Sequence, residues 1–429
     1  MKEEKKIRKV RSLKLFIFTG ILVVLLAFAA VLFLKDGQSI SINDNIDTGS
    51  WQQKEFIIGA YDGVRMTGNQ ERDIERLKEL SEAGFNMMVQ SDYWHSSRYY
   101  ATSYRSYNPN AVSNKYILEL MADFNKKYGK NKIRFIVLDW DIGTGKIPVD
   151  KPYSESVFKY YLELPSELRD VLYGYSIIDE PNLKRLRECL PAIRSIKEID
   201  REKMIYVNLG DTEKDFRTCV KELAENSSMV SFDKYHFVTQ SKEPTKKVAD
   251  RYFKYAQIVA EETRSANVPW WGVPLCVEHE RRSLTGGIKW AHRLYDPNNR
   301  NPKLELGRIR FSAYAAVIYG AKGLAWYMYD TPNNPISNPE GIEEYIDSNI
   351  PYSFYEGCLD YDGNPTILYD YVKEVNTKLL SMGPVLMDLR WITTVHRLYY
   401  NNDGEIPSDK LPVVVDSITK DNSLAVGVF

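Results

Sequence analysis

Histidine and cysteine are scarce in this chain, at five and four among 429 residues. Cys189, Cys219, Cys276 and Cys358 are widely separated and show neither a CxxC pair nor a Cys/His zinc spacing. That excludes a disulfide framework, and the four read as buried free thiols. A charge excess is also missing: the formal net charge is −1, so nothing points to nucleic acid as a partner. There is no glycine-rich phosphate loop either. Gly59…Gly63 and Gly143-Thr144-Gly145 fail the dinucleotide fingerprint and read as turn glycines. Neither a metal nor a cofactor is expected.

Aromatics and acids are plentiful. The chain carries 30 Tyr and 8 Trp, and aromatic faces suit the apolar C–H surface of sugar rings, although tyrosine-rich cores need no ligand. At the N-terminus, Lys2, Lys5, Lys6, Arg8, Lys9, Arg11 and Lys14 precede an uncharged run from Leu15 to Leu34. Twenty residues at about 1.5 Å each give roughly 30 Å, the thickness of a bilayer core. Residues 1–35 are therefore expected to be a basic cytoplasmic flank and signal anchor, with the rest of the chain outside the cytoplasm. Ala27, Ala29 and Ala30 leave cleavage and secretion as the alternative. Residues 36–54, rich in Asp, Asn and Ser, read as a linker.

From Glu55 short β-like runs alternate with helical ones. The strands are expected at Phe56–Tyr61, Asn86–Tyr93, Ile133–Trp140, Leu172–Asp179, Met204–Leu209, Met229–Tyr235, Trp270–Val277 and Gly323–Tyr329. Between them, Ile74, Leu77 and Leu80 share one helical face, as do Ile117, Leu120, Met121 and Phe124; a last helix is expected over Thr366–Met382. Parallel strands need crossover helices, and eight such units over residues 55–385 predict an α/β fold of the (β/α)8 TIM-barrel type. After it, residues 386–429 read as β-rich, with runs at Trp391–His396, Leu411–Ser417 and Leu424–Phe429. Three strands are too few for a domain of their own, so they either pack on the barrel or begin a C-terminal β-domain, the reading favoured here.

In such a barrel the chemistry sits at the C-terminal ends of the strands. Those ends carry Asp62, Asp92, Tyr93 and Trp94, Asp139, Trp140 and Asp141, then Asp179, Glu180 and Asn208. They continue with Asp233, Tyr235 and His236, Glu278, His279 and Glu280, and finally Trp326, Tyr329 and Asp330. Acids beside aromatics describe a carboxylate-rich, aromatic-lined pocket. Glu180 is the proton-donor candidate, since apolar Ile177 and Ile178 and the neighbouring Asp179 would raise its pKa. The alternative is plainer: an acid before proline often caps a helix, with Pro181 in the first turn. Asp179 is an orienting partner or a hydrogen-bonded buried acid.

The run Gly174-Tyr175-Ser176-Ile177-Ile178-Asp179-Glu180-Pro181-Asn182 resembles the fourth-strand motif of the large clan of (β/α)8 glycoside hydrolases, with Asp where that clan usually has Asn. The variant is similar to β-galactosidase-like bacterial members. Val230–His236, Trp270–His279, Arg310–Tyr314 and Tyr319–Tyr329 extend the resemblance. It implies a retaining glycosidase with Glu180 as acid/base and a seventh-strand nucleophile, for which Glu278 stands first, then Glu280 or Asp233. Asp62, Trp94, Asp139, Trp140, Asp179, Asn208, Asp233, Tyr235, His236, His279, Trp326 and Tyr329 would bind the oligosaccharide or polysaccharide substrate. A carbohydrate-binding barrel that has lost one carboxylate is the competing reading. A metal-dependent barrel hydrolase is third, because the first strand ends Ala60-Tyr61-Asp62 without His-x-His.

Overall fold

The computed structural model describes residues 50–61, 63–89, 113–129, 132–139, 142, 152–210, 214–235, 237, 245–282, 288–292, 294, 300–331, 352–354, 356–360, 362–397 and 424–429. Eight parallel strands close a barrel: β1 (Ile57–Tyr61), β2 (Met87–Val89), β3 (Arg134–Leu138), β4 (Leu172–Asp179), β5 (Met204–Leu209), β6 (Val230–Asp233), β7 (Trp270–Val273) and β10 (Gly323–Tyr327). Around the barrel they run β1-β10-β7-β6-β5-β4-β3-β2, and β1 pairs with both β10 and β2 to close the ring. The expected α/β (β/α)8 barrel is therefore the observed one.

The helices between them are α1 (Gln70–Glu82), α2 (Asn114–Tyr128), α3 (Glu155–Leu162), α4 (Ser166–Val171), α5 (Leu183–Ile199), α6 (Phe216–Asn226), α7 (Thr245–Ala266), α8 (Pro302–Val317) and α9 (Ile367–Asp388). Their ends follow from local chemistry. Asn69 caps α1 by accepting from the Arg72 amide, and Gly84, at φ 79°, takes the left-handed turn that stops it. Asn301 caps α8, where Pro302 fills the first position and needs no N–H. Leu77 and Leu80 face inward together with Asp73 and Arg76, while Gln70, Glu71, Arg72, Glu75 and Glu82 stay in water.

Strands enclosed by helices are buried on both faces, so their residues divide between two apolar layers. One lies between barrel and helices, and includes Ile58, Ala60, Ile177, Ile178, Leu324 and Trp326. The other fills the barrel, with Ile57, Tyr61, Met87, Val89, Ile136, Met204, Tyr206, Trp271, Val273 and Ala325. The base of the barrel is plugged by the entering chain. Trp51 meets Tyr173 edge-on at 5.6 Å, Tyr173 stacks on Trp271, and Gln53 accepts the Trp271 indole N–H at 2.9 Å.

The seventh strand differs from expectation. It stops at Val273 because Pro274 has no N–H to continue the ladder. Beyond it, β8 (His279–Arg282) pairs antiparallel with β9 (Ile288–His292) and β11 (Tyr352–Phe354), a small sheet that the alternation of the sequence did not reveal. The last helix runs past Gly383 and Pro384, beyond the expected stop at Met382. Strands β12 (Thr393–Arg397) and β13 (Leu424–Val428) form an antiparallel ribbon on the barrel, where Thr394 Oγ1 donates to the Ile318 carbonyl at 2.7 Å. The Leu411–Ser417 run and the apolar Leu15–Leu34 run lie outside the described residues. Among the described residues, no helix is long and apolar enough to cross a membrane.

Candidate active site

The uppermost inward layer of the barrel gathers Tyr61, Asp179, Asn208, Asp233 and Tyr327, each the last or next-to-last residue of its strand. One irregularity makes this layer. Between β4 and β5 the register runs Ser176↔Tyr206, then Ile178↔Val207 and Asp179↔Asn208, so β4 carries a bulge. The extra residue turns both Ile177 and Ile178 into the helix layer and brings Asp179 level with Asn208. A polar chain rises to it from the barrel interior: Tyr206 Oη pairs with Ser231 Oγ at 2.9 Å, Ser231 Oγ donates to Asn208 Oδ1, and Asn208 Nδ2 donates to Asp179 Oδ1 at 3.0 Å. Tyr61 hydrogen-bonds the same carboxyl. Asp179 is thus hydrogen-bonded from two strands.

Glu180 is the next residue, and its backbone has a φ of 43°, a left-handed conformation uncommon for a residue with a side chain. Strained backbone of this kind gathers at functional sites. The Glu180 amide still donates to the Asn208 carbonyl at 2.9 Å. The capping alternative is corrected here. Helix α5 starts at Leu183, and its cap is Asn182, whose side chain accepts from the Arg185 amide; Glu180 is left outside the helix. Gly210 gives the side chain its room: a Cβ there would lie 2.7 Å from Glu180 Oε1 and 2.9 Å from Cγ. Gly210→Ala is therefore expected to displace the Glu180 carboxylate while leaving the core intact. With misplacement of about 1 Å costing on the order of 100-fold in rate, any turnover that depends on Glu180 should fall by about that factor with little change in melting temperature.

Asp233, at the end of β6, stands within hydrogen-bonding reach of Glu180 and of Tyr235. Asp179 and Glu180 keep solvent-exposed surface at the mouth although protein crowds around them, whereas Asp233 is 7% exposed. All three carboxyls sit above their ordinary pKa range. Burial pushes all three up; the charge of Asp179 adds to Glu180, and those of Glu180 and Asp179 add to Asp233. On the other side Lys234 is pushed down to about 8, by burial first and Arg251 second, and its charge works against the rise at Glu180.

Aromatics frame this cluster. Tyr235 stacks on Tyr327 at 5.9 Å, Tyr61 meets Tyr327 at the same spacing, and His279, 5% exposed, sits edge-on to both Tyr235 and Tyr327. Glu278 lies beyond β7, at the entrance to the small sheet. It is buried, its Oε1 accepts the Leu294 amide at 2.5 Å, and its own amide donates to the Glu356 carbonyl. Glu280 is in β8, opposite Ala291 and Ser353. Asp139 is turned toward the helices, where Tyr161 Oη donates to its Oδ2 at 2.6 Å.

Two expected sugar platforms need correction. Trp326 is fully buried between barrel and helices, its indole donating to Asn376 Oδ1 at 2.8 Å. Tyr329 is buried against Phe85 and Tyr369. Both are core residues, and the inward aromatic of β10 is Tyr327. Asp62, Trp94, Trp140 and His236 lie outside the described residues. Tyr61, Gly210, Lys234 and Tyr327 are the site residues that sequence reasoning passed over. For Tyr327 a signal existed, since the small residues Gly323 and Ala325 share its parity. Among the described residues, no three His, Cys, Asp or Glu side chains are grouped to hold a metal ion.

No protein-family profile matches the chain, and no curated protein matches it. Solved structures do. One is a glycoside hydrolase family 5 mannosidase from Rhizomucor miehei in complex with mannosyl-fructose, at 12% identity over 79% of this chain and 95% of that one, with a TM-score of 0.47. Another is the endo-β-1,4-mannanase from Thermotoga petrophila, at 13% identity over 80% of each chain, with a TM-score of 0.44. Both are likenesses of fold alone.

Proposed function

We propose that this protein is a glycoside hydrolase acting on oligosaccharides or polysaccharides by a two-carboxylate mechanism, with Glu180 as the proton donor. The observation that carries the reading is the placement of Glu180: left-handed backbone, room made by Gly210, and a pKa raised by burial and by Asp179. A general acid must still hold its proton near neutral pH, and these features favour that. Tyr61, Tyr235 and Tyr327 offer apolar ring faces beside it, and Asn208 and His279 offer polar groups.

The second carboxylate must stand at a distance. Retaining enzymes separate the pair by about 5–5.5 Å and inverting ones by about 6.5–9.5 Å. Asp233 is in hydrogen-bonding reach of Glu180, too close for either arrangement. We assign the role to Glu278, which would attack the anomeric carbon in a retaining reaction while the Leu294 amide orients its carboxylate. The β-galactosidase-like character of the fourth-strand motif makes β-galactosides the first substrates to try. The basic, apolar N-terminus supports a site of action outside the cytoplasm, membrane-anchored or secreted.

A specific observation favours a second reading. Glu278 is buried and already accepts a backbone N–H, as a structural acid would, and a barrel with that role would bind glycans without cleaving them. A panel of aryl glycosides offered to the full chain decides between the two. Turnover supports the hydrolase, and glycan binding without turnover supports the binding barrel.

The pH profile carries a further expectation. Glu180 must be protonated to act, so kcat/KM is present below its pKa and lost as pH rises through it. Asp179 raises that pKa, so Asp179→Asn should move the alkaline limb to lower pH. An unmoved limb in Asp179→Asn would contradict the assignment of Glu180.

A further inference from the structure

The Glu180–Asp233 contact is not accounted for by a two-carboxylate mechanism that places its partner elsewhere. Two carboxyl groups in hydrogen-bonding reach cannot both be ionised without strong repulsion, so at least one of them keeps its proton when the other titrates. Geometry decides which. Glu180 keeps solvent-exposed surface and feels the opposing charge of Lys234. Asp233 is buried, and its Oδ1 has no hydrogen-bond partner among the described residues. A carboxylate with a buried, unpartnered oxygen is far more costly than the neutral acid in the same place.

The groups around the pair agree. From β4 come Asp179 and Glu180, both of which oppose a charge on Asp233. From β6 come Tyr235, which hydrogen-bonds Asp233, and Lys234, which acts on Glu180 and packs over the Tyr255 ring of α7. From α7, Arg251 acts on Lys234; from β10, Tyr327 lies against Tyr235; from β1, Tyr61 is engaged with Asp179; and from β5, Asn208 donates to Asp179, while Gly210 just beyond it faces the Glu180 side chain.

We infer that Asp233 is a neutral carboxylic acid at pH 7 whose O–H donates to the Glu180 carboxyl, making it a positioning residue that fixes where the proton donor points. The role rests on the reading of Glu180 given above and extends it. Asp233 works as an asparagine amide would, supplying a donor from the barrel interior without adding charge. The hydrogen bond stabilises ionised Glu180 and restrains the rise that burial and Asp179 impose.

The test is a carboxyl titration of the full chain without substrate, using 13C-labelled Asp and Glu, with the two resonances assigned by their loss in Glu180→Gln and Asp233→Asn. In the wild type at pH 7 the Asp233 carbon should show the shift of a protonated acid. Asp233→Asn keeps a donor and should leave the Glu180 midpoint essentially where it was. Asp233→Val removes the donor and should raise that midpoint by about one to two pH units. An ionised Asp233 signal at pH 7 in the wild type overturns the inference, as does a Glu180 midpoint that falls in Asp233→Asn. Either Asp233→Asn or Asp233→Val assigns the Asp233 resonance, so the wild-type measurement stands if one of the two fails to fold. Because no turnover is needed, a chain without glycosidase activity would refute the proposed function and leave the Asp233 result readable. In an active enzyme, Asp233→Asn should also restore the pH profile that Asp233→Val displaces.

Discussion

Glu180→Gln is expected to lower kcat by about 10²–10⁴-fold, the range that general acid catalysis contributes, on glycosides whose leaving group is a poor one. The amide is nearly isosteric, so it preserves the backbone bond from the Glu180 amide to the Asn208 carbonyl and the space above Gly210. What it removes is the proton. Substrates with good leaving groups, which depart without protonation, should lose less in the bond-breaking step. In a retaining enzyme, azide should then accelerate turnover by attacking the glycosyl-enzyme in place of base-activated water. Glu278→Gln run beside it separates the readings. Loss of comparable size in both variants fits two catalytic carboxylates, whereas full activity in Glu180→Gln would end the proposed role of Glu180. A Glu278→Gln enzyme that is active but less stable would make Glu278 the anchor of the Leu294 amide and no more.

The parts of this site that were legible in the sequence are those set by chain direction. The ends of parallel strands meet at one mouth, so Asp179, Glu180, Asn208 and Asp233 could be brought together from their positions alone. Which way a side chain faces was harder to read. A strand buried on both faces shows no polar–apolar alternation, and Gly323-Leu324-Ala325-Trp326-Tyr327 is apolar throughout. Trp326 looked the better platform and is core, while Tyr327 faces inward.

Two further features depend on events that leave little trace in composition. The bulge in β4 shifts parity by one residue, and without it Ile178 would stand opposite Asn208 where Asp179 now does. At β7 the stop was written in Pro274, but an apolar run continues through Leu275, Cys276 and Val277 and hides it. Leu275 even resumes a single bridge to Tyr327. Glu278 consequently falls at the entrance of the small β8–β9–β11 sheet, and its pairing with Leu294 joins residues whose proximity only the fold reveals.

Asp200→Ala is expected to lower the unfolding free energy by about 3–5 kcal/mol, the range for breaking a buried ion pair by removing one partner, without changing the chemistry at the mouth. Asp200 lies just before β5, at the opposite end of the barrel from Glu180, and is 3% exposed. The Arg169 guanidinium grips it with two bonds, of 2.7 Å and 2.8 Å, and the Tyr175 hydroxyl donates to it at 2.7 Å. Arg169 comes from α4 and Tyr175 from β4, so one carboxylate ties the base of two neighbouring βα units together. Its loss leaves the buried Tyr175 phenol without its acceptor and the half-buried Arg169 guanidinium with only the long contacts to the Tyr161 carbonyl and Glu202, and poorly satisfied groups of this kind are costly. Residues at the base of such barrels serve stability, and those at the mouth serve chemistry. Urea denaturation should therefore show a lower midpoint at an unchanged slope, while the kcat of the remaining folded enzyme matches the wild type. A variant that kept its midpoint would show that solvent replaces Asp200 at little cost. One that kept its midpoint and lost kcat would overturn the division between base and mouth on which the assignment of Glu180 depends.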